Sequence, residues 1–170
     1  MELSAESILI AREERVLFQK KLIKRFSMPL VTVRVNFPGI HKENDITTSV
    51  IQIIDTSISI ALKQSIHFKL FRITEEGPIL NLAINEKAEK IKKAMIDIEE
   101  KHPLGRCVDI DVYNLEGRSI SREEFDKKPR KCFICNEDAR ICVREEKHPH
   151  SEVMSYIIQK YGEYKKKTNG

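Results

Sequence analysis

The hexapeptide Val108–Tyr113, VDIDVY, alternates apolar and acidic residues until its last position. Only extended backbone places residues two apart on one side. Val108, Ile110 and Val112 therefore define a face to bury, and Asp109 and Asp111 a face that needs water or a partner. Gly105-Arg106 precedes the segment, and Arg118 and Arg122 follow it. One reading is an edge strand with a wet face. The other is a metal site. Two carboxylates on one face can hold Mg²⁺ together with phosphate oxygens, and such an ion can bridge the attacking and leaving oxygens of an in-line displacement. Arg106, Arg118 and Arg122 would then take the remaining phosphate charge through forked contacts. Two acidic residues alone do not decide between the readings.

The remaining chain alternates helical and strand periodicity. Glu6–Phe26 reads as a helix of about five turns, with Leu9, Val16 and Ile23 recurring every seven residues and Ala5 and Phe26 on the same stripe. Arg12 and Gln19 fall on that stripe and Arg15 lies beside it, so either the long side chains snorkel or they have polar partners inside. Pro29–Phe37 reads as a strand ended by Pro38-Gly39. A helix follows from an Asn44 or Asp45 cap, with Ile46, Val50, Ile53, Ile54, Ile58, Ala61 and Leu62 at helical spacing. Two strands meet at Gly77-Pro78, and a helix with Ala88, Ile91, Met95 and Ile98 on one face is stopped by Pro103. The Asp-Ile-Asp strand comes next. A last helix from near Ser151 turns Met154, Ile157, Ile158 and Tyr161 inward, and its tail, Lys165–Gly170, reads as frayed. The order αβαββαβ plus a C-terminal helix predicts an α+β fold with a mixed or antiparallel sheet, one domain over 1–170 with a Cys/His-rich knuckle at 130–150.

No run of about 18 apolar residues is present. Glu2 and Glu6 stand where a signal peptide is basic. The expectation is a cytoplasmic protein whose four cysteines are thiols or metal ligands. The net charge of +4 suits a phosphorylated ligand or an acidic partner, whereas 6% aromatic residues and no tryptophan argue against nucleic acid. Cys132 and Cys135 form C-x₂-C, with Cys142 and His148 downstream. This Cys₃His set suits a structural Zn²⁺, with His150 also in reach. Buried reduced thiols or a redox pair are the alternatives. Cys107 reads as a core residue.

Five segments in order carry a resemblance: Ala11–Arg25, Pro29–Lys42, Thr74–Pro78, His102–Val112 and Arg130–His148. Together they resemble the citrate lyase holo-[acyl-carrier-protein] synthases, the apo-citrate lyase phosphoribosyl-dephospho-CoA transferases. The chain departs from that pattern at Val108, where the family usually has a bulky aromatic. The resemblance implies transfer of 2'-(5''-triphosphoribosyl)-3'-dephospho-CoA to a serine of the citrate lyase acyl-carrier subunit, with pyrophosphate leaving. It implies that Asp109 and Asp111 hold Mg²⁺ with Arg106 at the chemistry. It further implies that Arg12, Arg15, Gln19, Lys42, His102, Gly105, Arg118 and Arg122 bind substrate. The likeness to polymerase-β-like nucleotidyltransferases is weaker, because their Gly-Gly or Gly-Ser turn ahead of the strand is missing. Glu75 and Glu76 are the candidates for a third carboxylate. Competing functions are a non-catalytic zinc-knuckle module that binds an acidic protein, and the equivalent transferase for another carrier, such as that of malonate decarboxylase.

Overall fold

A computed structural model of the chain describes residues 4–168. Ser4 caps helix α1 (Ala5–Phe26). Its hydroxyl accepts from the Ser7 backbone N–H, and Ser7 accepts from the Ser4 N–H. Ser27, at a φ of 51°, turns the chain into strand β1 (Leu30–Val35). Asn44 and Thr47 cap α2 (Asp45–Leu62) by the same exchange. Strands β2 (Ile66–Thr74) and β3 (Gly77–Ile84) form a hairpin around Glu75 and Glu76. Helix α3 (Ala88–Lys101) ends before Pro103, and a 3-10 turn over Gly105–Cys107 feeds β4 (Val108–Tyr113). The short α4 (Ala139–Arg144) and α5 (His150–Thr168) complete the chain.

The four strands form an antiparallel sheet in the order β2-β3-β1-β4. The expected α+β class holds, in its antiparallel form. One face carries Val31, Val33, Leu80, Leu82, Val108, Ile110 and Val112. It packs on Val50, Ile54 and Ile58 of α2, Ile91 and Met95 of α3, and Ile157 of α5. Each such side chain contributes about 1.5–3 kcal/mol on full burial, which is why α2 is helical despite its β-branched residues. With a mean hydropathy of 1.2, α2 is long and apolar enough to cross a membrane, and Val50, Ile51, Ile54, Ile58 and Leu62 lie in this core.

The second face mixes a polar centre with buried apolar positions, Leu30, Ile79 and Ala83. Register places Thr32 and Arg34 of β1 between Asn81 and Ile79 of β3 and Asp111 and Asp109 of β4. Helix α1 lies over this face, and the polarity beneath it corrects the expected stripe. Leu9 is 57% and Val16 41% exposed, whereas Ile8, Ala11, Gln19, Leu22 and Ile23 are buried. Gln19 Nε2 donates to Thr32 Oγ1 at 2.9 Å, and Thr32 donates to Asn81 Oδ1 at 3.1 Å. In α5, Ile157 is buried but Ile158 is 48% exposed. The expected fraying is corrected as far as Thr168, because α5 runs through Lys165–Lys167; residues 169–170 lie outside the described region.

Strand β4 has one strand neighbour, yet side chains satisfy its other edge. Ile110 N–H donates to Glu99 Oε1, and Ile110 C=O accepts from Lys92 Nζ, each at 3.2 Å. Val108 C=O accepts from Arg130 Nη1 at 2.8 Å, and Val112 C=O from the Ile120 N–H at 2.8 Å. Lys92 and Glu99 are themselves buried. Burial pushes the Lys92 amine down and the Glu99 carboxyl up.

Gly105 closes the same corner. A Cβ there would lie 2.6 Å from the Glu99 carbonyl oxygen and also meet that of Ile98. Its place is set by close packing on the end of α3. Gly105→Ala is expected to cost about 2 kcal/mol, read as a lower urea midpoint at unchanged slope.

Candidate active site

A cleft of about 1030 Å³ lies between the first half of α1, the loop after β1, the start of β4 and the Cys/His segment. Gly77 fixes one corner. At a φ of 89° it packs on the Lys42 backbone, where a Cβ would sit 2.9 Å from Lys42 Cβ and O. This contact brings Lys42 beside Glu76. Burial, with Arg12 nearby, holds the Lys42 amine below its ordinary pKa.

Glu76 is only 3% exposed in its side chain. Arg15 Nε donates to Oε2 at 2.7 Å, Arg12 Nε lies 3.5 Å from Oε1, and Arg34 Nη1 lies 3.8 Å from Oε1. Arg34 also reaches β4. Its Nη2 donates to Asp111 Oδ2 at 3.1 Å and sits 4.0 Å from Asp109 Oδ2. Burial lowers the Arg34 pKa, but Asp111, Asp109 and Glu76 outweigh it and the net shift is upward. On the other side Arg130 Nη2 contacts Asp109 Oδ1, and Nη1 lies 3.5 Å from Glu99 Oε1. The Asn36 amide, turned with its nitrogen toward Asp109, donates to Oδ1 at 3.2 Å. Eight Arg and Lys side chains line the cleft against four Asp and Glu, so it favours a polyanion.

The far wall is the Cys/His segment. Ligand atoms of Cys132, Cys135, Cys142 and His148 all lie within 4.8 Å of one another. Cys135 Sγ is 3.5 Å from Cys142 Sγ and 3.3 Å from His148 Nε2. Zn–S bonds of about 2.3 Å set tetrahedral edges of about 3.8 Å, close to these spacings. His148 Nδ1 lies 3.5 Å from the Glu152 carboxylate, which would orient the ring with Nε2 toward the sulfurs. His150 stands outside the cluster, near Gly39. Phe133 stacks on Tyr156, with centroids 4.2 Å apart, and joins the segment to α5.

Sequence comparison places the chain among transferases of prosthetic groups. The family described as apo-citrate lyase phosphoribosyl-dephospho-CoA transferase (CitX) matches residues 3–164. The chain is 33% identical over 155 residues to the protein of that description from Shigella boydii, covering 89% of this chain and 85% of the relative, and matches the one from Escherichia coli O157:H7 to the same extent. It is 32% identical over 160 residues to "Protein CitXG" of Haemophilus influenzae. That match covers 92% of this chain but only 34% of the longer protein. The chain belongs to the apo-citrate lyase phosphoribosyl-dephospho-CoA transferase family. It is an enzyme, and the match spans sheet and knuckle together, so the reading as a non-catalytic zinc module falls away.

Of the residues expected at the site, Arg12, Lys42, Arg106, Asp109 and Arg122 line the cleft, while Arg15 and Asp111 join it through Glu76 and Arg34. Arg106 donates to the Lys131 carbonyl. Arg122 is held 3.2 Å from Glu99 and 3.6 Å from Glu100. Three others lie outside the cleft lining. Gln19 is buried in the hydrogen-bond chain under α1, and Arg118 is exposed, paired with Glu124 at 2.9 Å. His102 caps the end of α3, where its Nδ1 accepts from the Leu104 N–H at 3.0 Å. Arg34 and Arg130 were missed, although both lie in segments that carry the family resemblance. The usable signal was register: Arg34 shares the Thr32 face and is the cross-strand neighbour of Asp109.

Burial holds the His102 pKa below 6.5, and its ring must be neutral to accept from Leu104. Its contribution is present above pH 6.5 and is lost as pH falls from there through the folded-state value. His102→Asn can keep an acceptor for the N–H two residues on. Its unfolding free energy should therefore fall less than that of the native chain between about pH 7.5 and about pH 5.5. Equal loss in both would refute this role.

Proposed function

We propose that this cleft is where the enzyme joins 2'-(5''-triphosphoribosyl)-3'-dephospho-CoA to a serine of the citrate lyase acyl-carrier subunit. One observation carries the reading: Asp109 and Asp111 share the polar face of β4 beside a net-positive cleft. The seryl oxygen bonds to the α-phosphorus, the bond from that phosphorus to the bridging oxygen breaks, and pyrophosphate leaves while the seryl proton is released. Arg12 and Lys42 bind the phosphates, and Arg34 and Arg130 stabilise negative charge on the leaving pyrophosphate. Asp109 and Asp111 offer only carboxylate oxygens, the donors Mg²⁺ takes. Asp111 Oδ1 carries no ion pair among the described residues. Asp109 and Asp111 would hold Mg²⁺, which when bound would supply positive charge to the reacting phosphate groups. The test mixes pure protein, apo-carrier and the triphosphoribosyl precursor with and without Mg²⁺ and weighs the carrier by mass spectrometry. Asp109→Asn and Asp111→Asn should each keep the fold and cut turnover a hundredfold or more, on the order of 3 kcal/mol. Near-native turnover in both would refute the assignment.

Zn²⁺ at Cys132, Cys135, Cys142 and His148 is the structural part of the proposal, supported by the Cys₃His geometry. All four cysteines are unpaired, which fits work in a reducing, cytoplasmic compartment. Protein purified without chelator should carry one zinc per chain, and Cys135→Ser should lose it and lower Tm. Cys107→Ala should retain the metal, because Cys107 is a core thiol whose pKa burial pushes up to about 11. A metal-free native chain would favour plain buried thiols.

A further inference from the structure

The two aspartates proposed to hold a metal already have cationic partners. Arg34 stands on the β1 register position opposite Asp109 and donates to Asp111 at 3.1 Å. Arg130 holds the other side of Asp109. A bare divalent cation arriving here would displace a guanidinium from its carboxylate or sit beside it, and at such distances like charges repel unless another anion is present. Arg34 is also incompletely satisfied where it lies, since its buried Nε has no hydrogen-bond partner. A triphosphate answers both needs. It offers oxygens for the guanidinium forks and for the metal at once.

We infer that Arg34 and Arg130 are resident counter-ions that close Asp109 and Asp111 to a free divalent cation, so that the metal enters together with the triphosphate. The inference rests on the reading of the cleft given above. As the triphosphate binds, Arg34 transfers its fork from Asp111 toward phosphate oxygens and frees the carboxylates. Metal and triphosphate then strengthen each other's binding, and linkage makes the two effects equal. Arg34 is in these terms a positioning residue for the metal as well as a phosphate contact.

The test measures Mn²⁺ binding to the full chain by electron paramagnetic resonance. Mn²⁺ is a hard ion that favours oxygen over the thiolates of the Cys/His cluster. The native chain alone should bind it weakly. Arg34→Gln and Arg130→Gln should each raise the affinity of the free chain at least tenfold. The same variants should weaken metal-free inorganic tripolyphosphate at least tenfold by calorimetry. Adding Asp111→Asn to Arg34→Gln should abolish the gain in Mn²⁺ affinity. If Arg34→Gln lowers Tm, Arg130→Gln carries the comparison. Native protein that binds Mn²⁺ as tightly as both arginine variants would overturn the inference while leaving the metal site in place, provided Asp111→Asn weakens that binding. If Mn²⁺–tripolyphosphate binds equally well to native protein and to Asp109→Asn and Asp111→Asn, the reading of the cleft fails, and this inference with it.

Discussion

A carboxylate removed from water is costly unless cations and hydrogen bonds surround it. Glu76 meets that condition from two elements at once, through Arg12 and Arg15 of α1 and Arg34 of β1. The hairpin turn therefore cannot shift without unpairing charge. The same contacts tie α1 to the sheet, and they hold Arg34 where it can reach Asp109 and Asp111. Gly77 completes the corner by admitting Lys42 to van der Waals distance. The cleft is thus built from a few short-range constraints among residues far apart in sequence.

The sheet's two faces divide the work. The face beneath α2 and α3 is apolar and supplies most of the stabilisation. The face beneath α1 carries Thr32, Arg34, Asn81, Asp109 and Asp111, which an isolated core would not tolerate. Their presence is sustained by partners brought from α1 and from the segment around Arg130. The knuckle adds the opposite wall, and the Phe133–Tyr156 stack ties it to α5. The transferase family match includes both walls.

Much of this was legible in the chain. Alternation in Val108–Val112 gave the strand and its two faces, and α2 and its Asn44 cap followed from spacing and capping chemistry. The Cys₃His convergence followed from spacing, although only the fold could choose His148 over His150. The α1 stripe was misread because apolar residues mark the buried side only when the surface beneath is apolar. Here its centre is polar, so Gln19 and Arg15 turn inward and Leu9 and Val16 outward, while Ile23 of the same stripe stays buried on Leu30. Gly105 and His102 precede the aspartates in sequence, yet their contacts depend on how α3 ends, which no local pattern reveals. Arg34 and Arg130 required strand register and a contact across 21 residues.

The treatment of β4's outer edge has a consequence for the molecule in a crowded solution. An unpaired strand edge is a template on which another chain can add a strand. In this protein the outward N–H of Ile110 and the carbonyls of Val108, Ile110 and Val112 already have partners in Glu99, Arg130, Lys92 and Ile120. Two of those partners, Lys92 and Glu99, sit on α3 and are buried. The strand that presents the acidic pair therefore has most of its outer edge already paired, which leaves a second copy little on which to add a strand, while the aspartates stay accessible on its face.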